Sequence, residues 1–286
     1  FCMFQINWKL KALLYKIFDT LKLKTSFYLI QKYITKRSKV KINEVDKSWK
    51  FHAENIKKKN VSKILEIGAG KSLAQNIFIS YYFNNSIKQT VIDINTMLDF
   101  QLFNEANKQI SSLLKIEIKN YAENVEQLKQ TYNIDYKAPV KIEELKKSEN
   151  KFDMCISTTA LEHFPISDLK NYLKQLKIIL SEDALISSAI DYSDHYNHTD
   201  DTISPLNYLQ FSEMEWKKYN NFYLFQNRLR HQDYKKIFLE FGYEILEDVK
   251  GPYLKKPKFV SKDFDENNKE TFIGWAFFLI KSKKTN

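Results

Sequence analysis

The sequence predicts an α/β fold: a mostly parallel sheet of seven strands flanked by helices. Three observations predict it. Short apolar runs alternate with stretches of helical spacing from Val61 onward, a glycine-bearing turn follows the first run, and two further runs near the C-terminus close the sheet. Alternation of this kind places parallel strands in one sheet and helices on both of its faces.

The elements follow in order. In residues 7–24, Leu10, Leu14, Ile17 and Leu21 share one helical face, with Lys9, Lys11 and Lys16 beside it. This amphipathic helix is expected to cap the domain through that face; contact with an anionic membrane surface is the alternative. Residues 1–55 read as an N-terminal helical cap and 56–286 as the main domain. Residues 62–67 form a first strand ending at Gly68-Ala69-Gly70, followed by a helix through about Tyr82. Residues 89–94 are the second strand, 97–130 are mostly helical, and Val140 closes a third strand. Residues 152–157 and 184–190 are the fourth and fifth strands, with an amphipathic helix over 168–180 between them. After Asp191 the periodicity breaks, and 191–232 read as an insertion at the acceptor site. A helix over 233–241 ends at Gly242, a C-cap, and 243–249 and 271–281 are the closing strands.

At 286 residues the chain suits one large domain, and a hydrophobic share of 43% is enough to fill its core. The formal charge of +10 is dispersed as lysine along the whole chain, which speaks of solubility rather than a nucleic-acid footprint. The two cysteines are Cys2 and Cys155. Because Cys155 falls in an apolar run, a disulfide is not expected, and a reducing, cytoplasmic setting fits. Lysines interrupt every apolar stretch well short of the ~20 residues a membrane span needs. Lys9, Lys11 and Lys16 likewise argue against a signal peptide.

Glycine is scarce, yet two of the five glycines frame the turn in Leu65-Glu66-Ile67-Gly68-Ala69-Gly70. A phosphate-cradling loop would need its first glycine at Leu65, and a dinucleotide fingerprint would need its third at Leu73. An acidic residue two positions before Gly68 suits instead a ligand carrying an ammonium group. This run resembles the first motif of class I S-adenosylmethionine-dependent methyltransferases, and the resemblance extends further along the chain. Asp93 matches the acidic residue that accepts from ribose hydroxyls, and Phe152-Asp153 through Leu161-Glu162-His163-Phe164 matches the fourth-strand motif. The resemblance implies a Rossmann-like fold, S-adenosyl-L-methionine as cofactor, and Glu66, Gly68, Gly70, Asp93 and Ser157 as its binding residues. Residues 135–139, where the family's third motif contacts adenine, would flank that ring. Ser72 stands where many members have a third glycine and is expected to cap the next helix.

A second cluster, Asp191-Tyr192-Ser193-Asp194-His195-Tyr196-Asn197-His198, follows the fifth strand, at the sheet edge where open α/β folds place ligands. We read it as acceptor-facing and assign no metal to it, although His and Asp are suitable metal ligands. His163 and His195 are the candidate bases, since histidine titrates near neutrality. His198, Arg228 and Arg230 are candidate acceptor contacts, the arginines because their planar fork suits phosphate or carboxylate. For a neutral glycan the contacts would pass to Tyr192, Tyr196 and Phe211. The tract from Ser193 to Arg230 is similar to methyltransferases of bacterial capsule and surface-polysaccharide gene clusters. That implies O-methylation of a sugar, nucleotide-sugar or phosphate/phosphoramidate precursor, an anionic small molecule. An RNA methyltransferase and a non-catalytic, membrane-associated binding protein are the other classes the sequence leaves open.

Overall fold

The computed structural model describes residues 7–23, 39–147 and 151–283. Helix α1 (Trp8–Thr20) and helix α2 (Lys47–Lys58) precede strand β1 (Lys63–Ile67). There follow α3 (Ala74–Tyr82), β2 (Lys88–Ile92), α4 (Phe100–Leu114), α5 (Val125–Tyr132), β3 (Ile134–Lys137) and β4 (Phe152–Thr158). The chain closes with α6 (Ile166–Ile179), β5 (Leu180–Asp191), α7 (His231–Glu240), β6 (Tyr243–Lys250) and β7 (Trp275–Ser282). The seven strands run in the order β3-β2-β1-β4-β5-β7-β6, and β7 alone is antiparallel to its neighbours. This is the Rossmann-like sheet the sequence predicts.

Alternation along the strands builds one core on each face of the sheet. Leu65, Ile67 and Cys155 point to one face, where α6 and α7 supply Leu169, Tyr172, Leu176 and Phe238. Ile64, Met154 and Ile156 point to the other, against Phe51, Ile56, Ile77, Phe103 and Leu128 of α2 to α5. Helix α2 therefore straddles residue 55 and belongs to the sheet core rather than to a separate cap. Asp46, Asp99 and Asn124 cap α2, α4 and α5 with side chains that accept exposed backbone N–H groups. The third strand ends at Lys137, three residues before Val140. Gly242 closes α7 with φ +71°, its N–H donating to Leu239 O at 3.0 Å.

Two local expectations are corrected. Ser72 does not cap α3; the cap position is Leu73, which is in the left-handed region (φ +47°) and makes no side-chain cap bond. Helix α1 does cover part of the domain, but with another face. Trp8 and Ala12 are buried with Tyr196, Tyr208 and Trp216 in a third cluster, while Leu10, Leu14, Ile17 and Leu21 are exposed. Indole size decides the orientation: Trp8 fits among the rings of Tyr196, Phe211, Trp216 and Tyr219, with centroids 4.6–6.3 Å away. Lys11 follows Trp8 inward and donates to Thr199 Oγ1 at 2.9 Å. Cys155 is a buried free thiol, and Cys2 lies outside the described residues. Among the described residues no helix is long and apolar enough to cross a membrane.

Candidate functional site

The site lies at the carboxyl edge of β2, β1, β4 and β5. Gly68 and Gly70 both adopt positive φ (+76° and +72°), the conformation that favours glycine and lets β1 turn sharply into α3. A Cβ at Gly68 would stand 2.8 Å from Ala160 Cβ, whereas one at Gly70 would meet nothing within 4 Å. Gly68 is thus needed for packing against the chain beyond β4, and Gly70 borders open space. Gly68→Ala is expected to cost about 1–3 kcal/mol of stability through overpacking and left-handed strain. An unchanged urea midpoint would show that the Ala160 contact yields freely.

Gly68 N–H donates to Ile92 O at 3.3 Å, drawing the end of β1 against that of β2, where Asp93 begins the loop. Asp93 is half-buried, and one carboxylate oxygen accepts the Asn95 N–H at 2.9 Å. Burial pushes its pKa above 3.8, with the N–H groups of Asn95 and Ile94 pulling the other way. Its backbone accepts from Val140 N–H (2.9 Å) and donates to Lys137 O (3.3 Å), so residues 138–140 run directly beside it.

Glu66 does not present its carboxylate to the cleft. It is 1% exposed, and its two oxygens accept from Gln75 Nε2 (3.0 Å) and Asn76 Nδ2 (2.6 Å) in the first turn of α3. Burial pushes its pKa up to about 7 against those two bonds. Glu66 therefore ties α3 beneath the glycine turn rather than meeting a ligand ammonium directly. Ser157 is likewise turned inward: it is fully buried and donates to Ser188 Oγ at 3.0 Å across the β4–β5 pair.

The chain past β4 makes a short turn, Leu161–His163, and there meets the loop after β5. His163, His195 and His198 form a row, with ring centroids 4.8 Å and 4.9 Å apart. His163 Nδ1 lies 2.6 Å from Phe225 O, and a carbonyl only accepts, so that nitrogen carries the proton. Asp191 Oδ2 stands 3.5 Å from His195 Nε2 and 3.8 Å from His198 Nε2. Burial, and then the neighbouring His195, lower the pKa values of His163 and His198 below 6.5, which keeps both rings neutral at pH 7. Burial pushes Asp191 up, but His195 and the Ser193 N–H together hold it below 3.8. Glu162 is fully buried beside Asp191, and that desolvation raises its pKa well above 4.5.

The two arginines are not part of this opening. Arg230 is 1% exposed and donates to Thr271 O (2.8 Å), Tyr192 O (2.8 Å), Ile273 O (2.7 Å) and Tyr208 OH. Arg228 is also buried, bound to Tyr208 O, Phe211 O and Glu213 Oε2. Both guanidiniums lie over aromatic rings, Arg228 over Trp216 and Phe264, Arg230 over Tyr192 and Tyr208. They hold the insertion together, and the cationic acceptor wall expected from Arg228 and Arg230 is not formed. Tyr192 and Tyr196 are buried as well, which removes them as a stacking surface.

Sequence reasoning missed His52. On α2, it is fully buried, with Nδ1 2.7 Å from Ser187 Oγ and Nε2 3.0 Å from Thr158 Oγ1. Thr158 in turn donates to Gln75 Oε1 at 2.7 Å, so a continuous chain of hydrogen bonds connects His52 to Glu66. A lone histidine in an amphipathic helix carries no signal for such a role.

No protein-family model and no curated protein matches this chain. Among solved structures it is similar to an S-adenosylmethionine-dependent methyltransferase from Clostridium acetobutylicum (TM-score 0.42, 13% identity, 92% of this chain and 99% of that one). It is also similar to the Burkholderia thailandensis 1,6-didemethyltoxoflavin-N1-methyltransferase (TM-score 0.46, 9% identity, 83% of this chain and 79% of that one). A third likeness is to the CurJ carbon methyltransferase (TM-score 0.44, 14% identity, 78% of this chain), of which this chain spans about half, 49%.

Proposed function

We propose that the protein transfers a methyl group from S-adenosyl-L-methionine to a hydroxyl oxygen of a small-molecule acceptor. The observation that carries this reading is one sheet edge bearing three things together: the open turn at Gly70, the half-buried Asp93 beside it, and the row His163–His195–His198. The cofactor fits these residues. Space above Gly70 would admit its methionine portion, Asp93 would accept from the ribose hydroxyls, and residues 138–140, which run beside Asp93, would flank the base. When bound, the sulfonium supplies an electrophilic methyl group. The protein contributes mainly alignment of the acceptor oxygen with that carbon. A neutral hydroxyl must also lose its proton, and His163 or His198, both kept neutral by burial, would take it.

The burial of Arg228 and Arg230 turns the reading from an anionic phosphate acceptor to a neutral hydroxyl. A sugar or sugar-containing precursor of a bacterial surface polysaccharide is the acceptor class the sequence resemblance favours. Calorimetry with S-adenosylhomocysteine tests the cofactor half. Asp93→Ala is expected to weaken binding by about 10- to 150-fold, the equivalent of ~1.5–3 kcal/mol for charge-assisted hydrogen bonds. Absence of binding by the folded wild type overturns the assignment. Methyl incorporation into a panel of neutral and phosphorylated sugars then tests the acceptor half, and turnover confined to phosphorylated sugars overturns the neutral-hydroxyl reading.

A further inference from the structure

We infer that Glu162, His163 and His195 form a binding site for one divalent transition-metal ion of the zinc or manganese kind, at the mouth of the cleft. Each residue brings one ligand atom, and these atoms lie within 4.8 Å of one another. Four-coordinate zinc, with bonds near 2.1 Å, holds its ligand atoms about 3.4 Å apart, so small side-chain rotations close the set. Two imidazoles and one carboxylate are the donors such ions take, whereas magnesium and calcium favour oxygen alone.

Three further features point to a ligand. Glu162 is 3% exposed, and its Oε2 makes no hydrogen bond; Oε1 accepts only a long bond of 3.3 Å from Asp191 N–H. His195 is 8% exposed, and the nearest polar atom to its buried Nε2 is Asp191 Oδ2, at 3.5 Å too long for a firm hydrogen bond. Unpartnered polar atoms at such depth are rare in folded proteins. His163 has the arrangement usual for a metal ligand: its Nδ1–H is spent on a backbone carbonyl, which leaves Nε2 with its lone pair and fixes the ring.

Charge points the same way. Glu162 and Asp191 lie side by side, and among the described residues neither forms an ion pair with lysine or arginine; the partners of Asp191 are His195 and His198. A divalent cation offsets both carboxylates. Asp191 and His198 form a second set of donors with His195 and flank the ion on the solvent side. Three protein ligands leave a coordination position for an acceptor hydroxyl, which the ion would acidify; with His163 and His195 spent as ligands, the proton would pass to His198. That catalytic role rests on the methyl-transfer reading; the site itself does not.

The test uses full-length protein stripped with a chelator and titrated with cobalt(II), followed by visible absorption, and with zinc by calorimetry. S-adenosylhomocysteine affinity is measured in parallel. One equivalent of metal is expected per chain, with binding weakened at least 10- to 100-fold in His195→Ala and in the near-isosteric Glu162→Gln, both checked for folding by circular dichroism. No stoichiometric uptake by the folded wild type overturns the inference, as does uptake that neither substitution changes or tighter binding of magnesium than of cobalt and zinc. Metal uptake without S-adenosylhomocysteine binding would sink the cofactor reading and leave the site standing. The converse would sink the site alone.

Discussion

Arg230→Ala is expected to destabilise the protein by about 3–5 kcal/mol, or to leave it unfolded, because a buried network loses its centre. Arg230 is 1% exposed and its three nitrogens serve four acceptors on three segments: Tyr192 O after β5, Tyr208 OH in the insertion, and Thr271 O and Ile273 O before β7. Truncation strands two carbonyl oxygens, Thr271 O and Ile273 O, while Tyr192 O keeps the bond it accepts from Tyr208 OH, and each buried group left unsatisfied costs about 1–3 kcal/mol. It also empties the space between the rings of Tyr192 and Tyr208, whose centroids lie 5.0 Å and 5.7 Å from the guanidinium carbon. Arg230→Lys should recover little, since one ammonium cannot reach acceptors arranged for a planar fork. Urea unfolding of both variants measures this. A loss under 1 kcal/mol in Arg230→Ala would mean the site relaxes or admits water, and that the insertion does not hang on this residue.

The contrast between Arg230 and Asp93 shows what a single sequence carries. The position of Asp93 at the sheet edge is legible because it lies in local order: a strand, a glycine turn, a helix, a second strand, then an acid. Parallel pairing of β1 with β2 brings those strand ends together whatever else the chain does. The meaning of Arg230 depends on what covers it, and that is decided by Tyr192, Tyr208, Thr271 and Ile273, residues 22 to 43 positions away. Its aromatic surroundings in sequence were the available hint, since tyrosine and tryptophan rings can bury a guanidinium over their faces. The same limit applies to α1. Helical spacing identified the element, but Trp8 rather than the leucine row found a complementary surface. For Glu66 the residue type and place were legible and its role was not, because Gln75 and Asn76 take both its oxygens.

The other large effect concerns acid. His52 is held neutral by burial, which lowers its pKa from 6.5 to about 3, with Asp46 pulling the other way. Its tautomer is fixed by the bonds around it. Thr158 spends its hydroxyl proton on Gln75 Oε1, so it can only accept from His52 Nε2–H, and Ser187 donates to Nδ1. A depressed folded-state pKa gives stability that is present above 6.5 and lost as pH falls toward 3, in total up to about 5 kcal/mol. Glu66, at the other end of the same chain, acts in the opposite sense. Its pKa is raised from 4.5 to about 7, so its stabilisation is complete below 4.5 and is lost as pH rises through 7, up to about 3 kcal/mol. Between pH 4.5 and 6.5 the two oppose each other, and below 4.5 only the histidine still changes. His52→Gln offers an acceptor to Ser187 and a donor to Thr158 without a titrating ring. Its stability deficit relative to wild type is therefore expected to shrink, or to reverse, by up to about 5 kcal/mol between pH 7 and 3. For Glu66→Gln the deficit should instead grow by up to about 3 kcal/mol between pH 7 and 4.5, as the wild type gains the proton it favours. Urea midpoints measured across that range distinguish the two directions. A deficit independent of pH in His52→Gln would mean that water reaches His52 and that the bonds from Ser187 to Glu66 are not continuously formed.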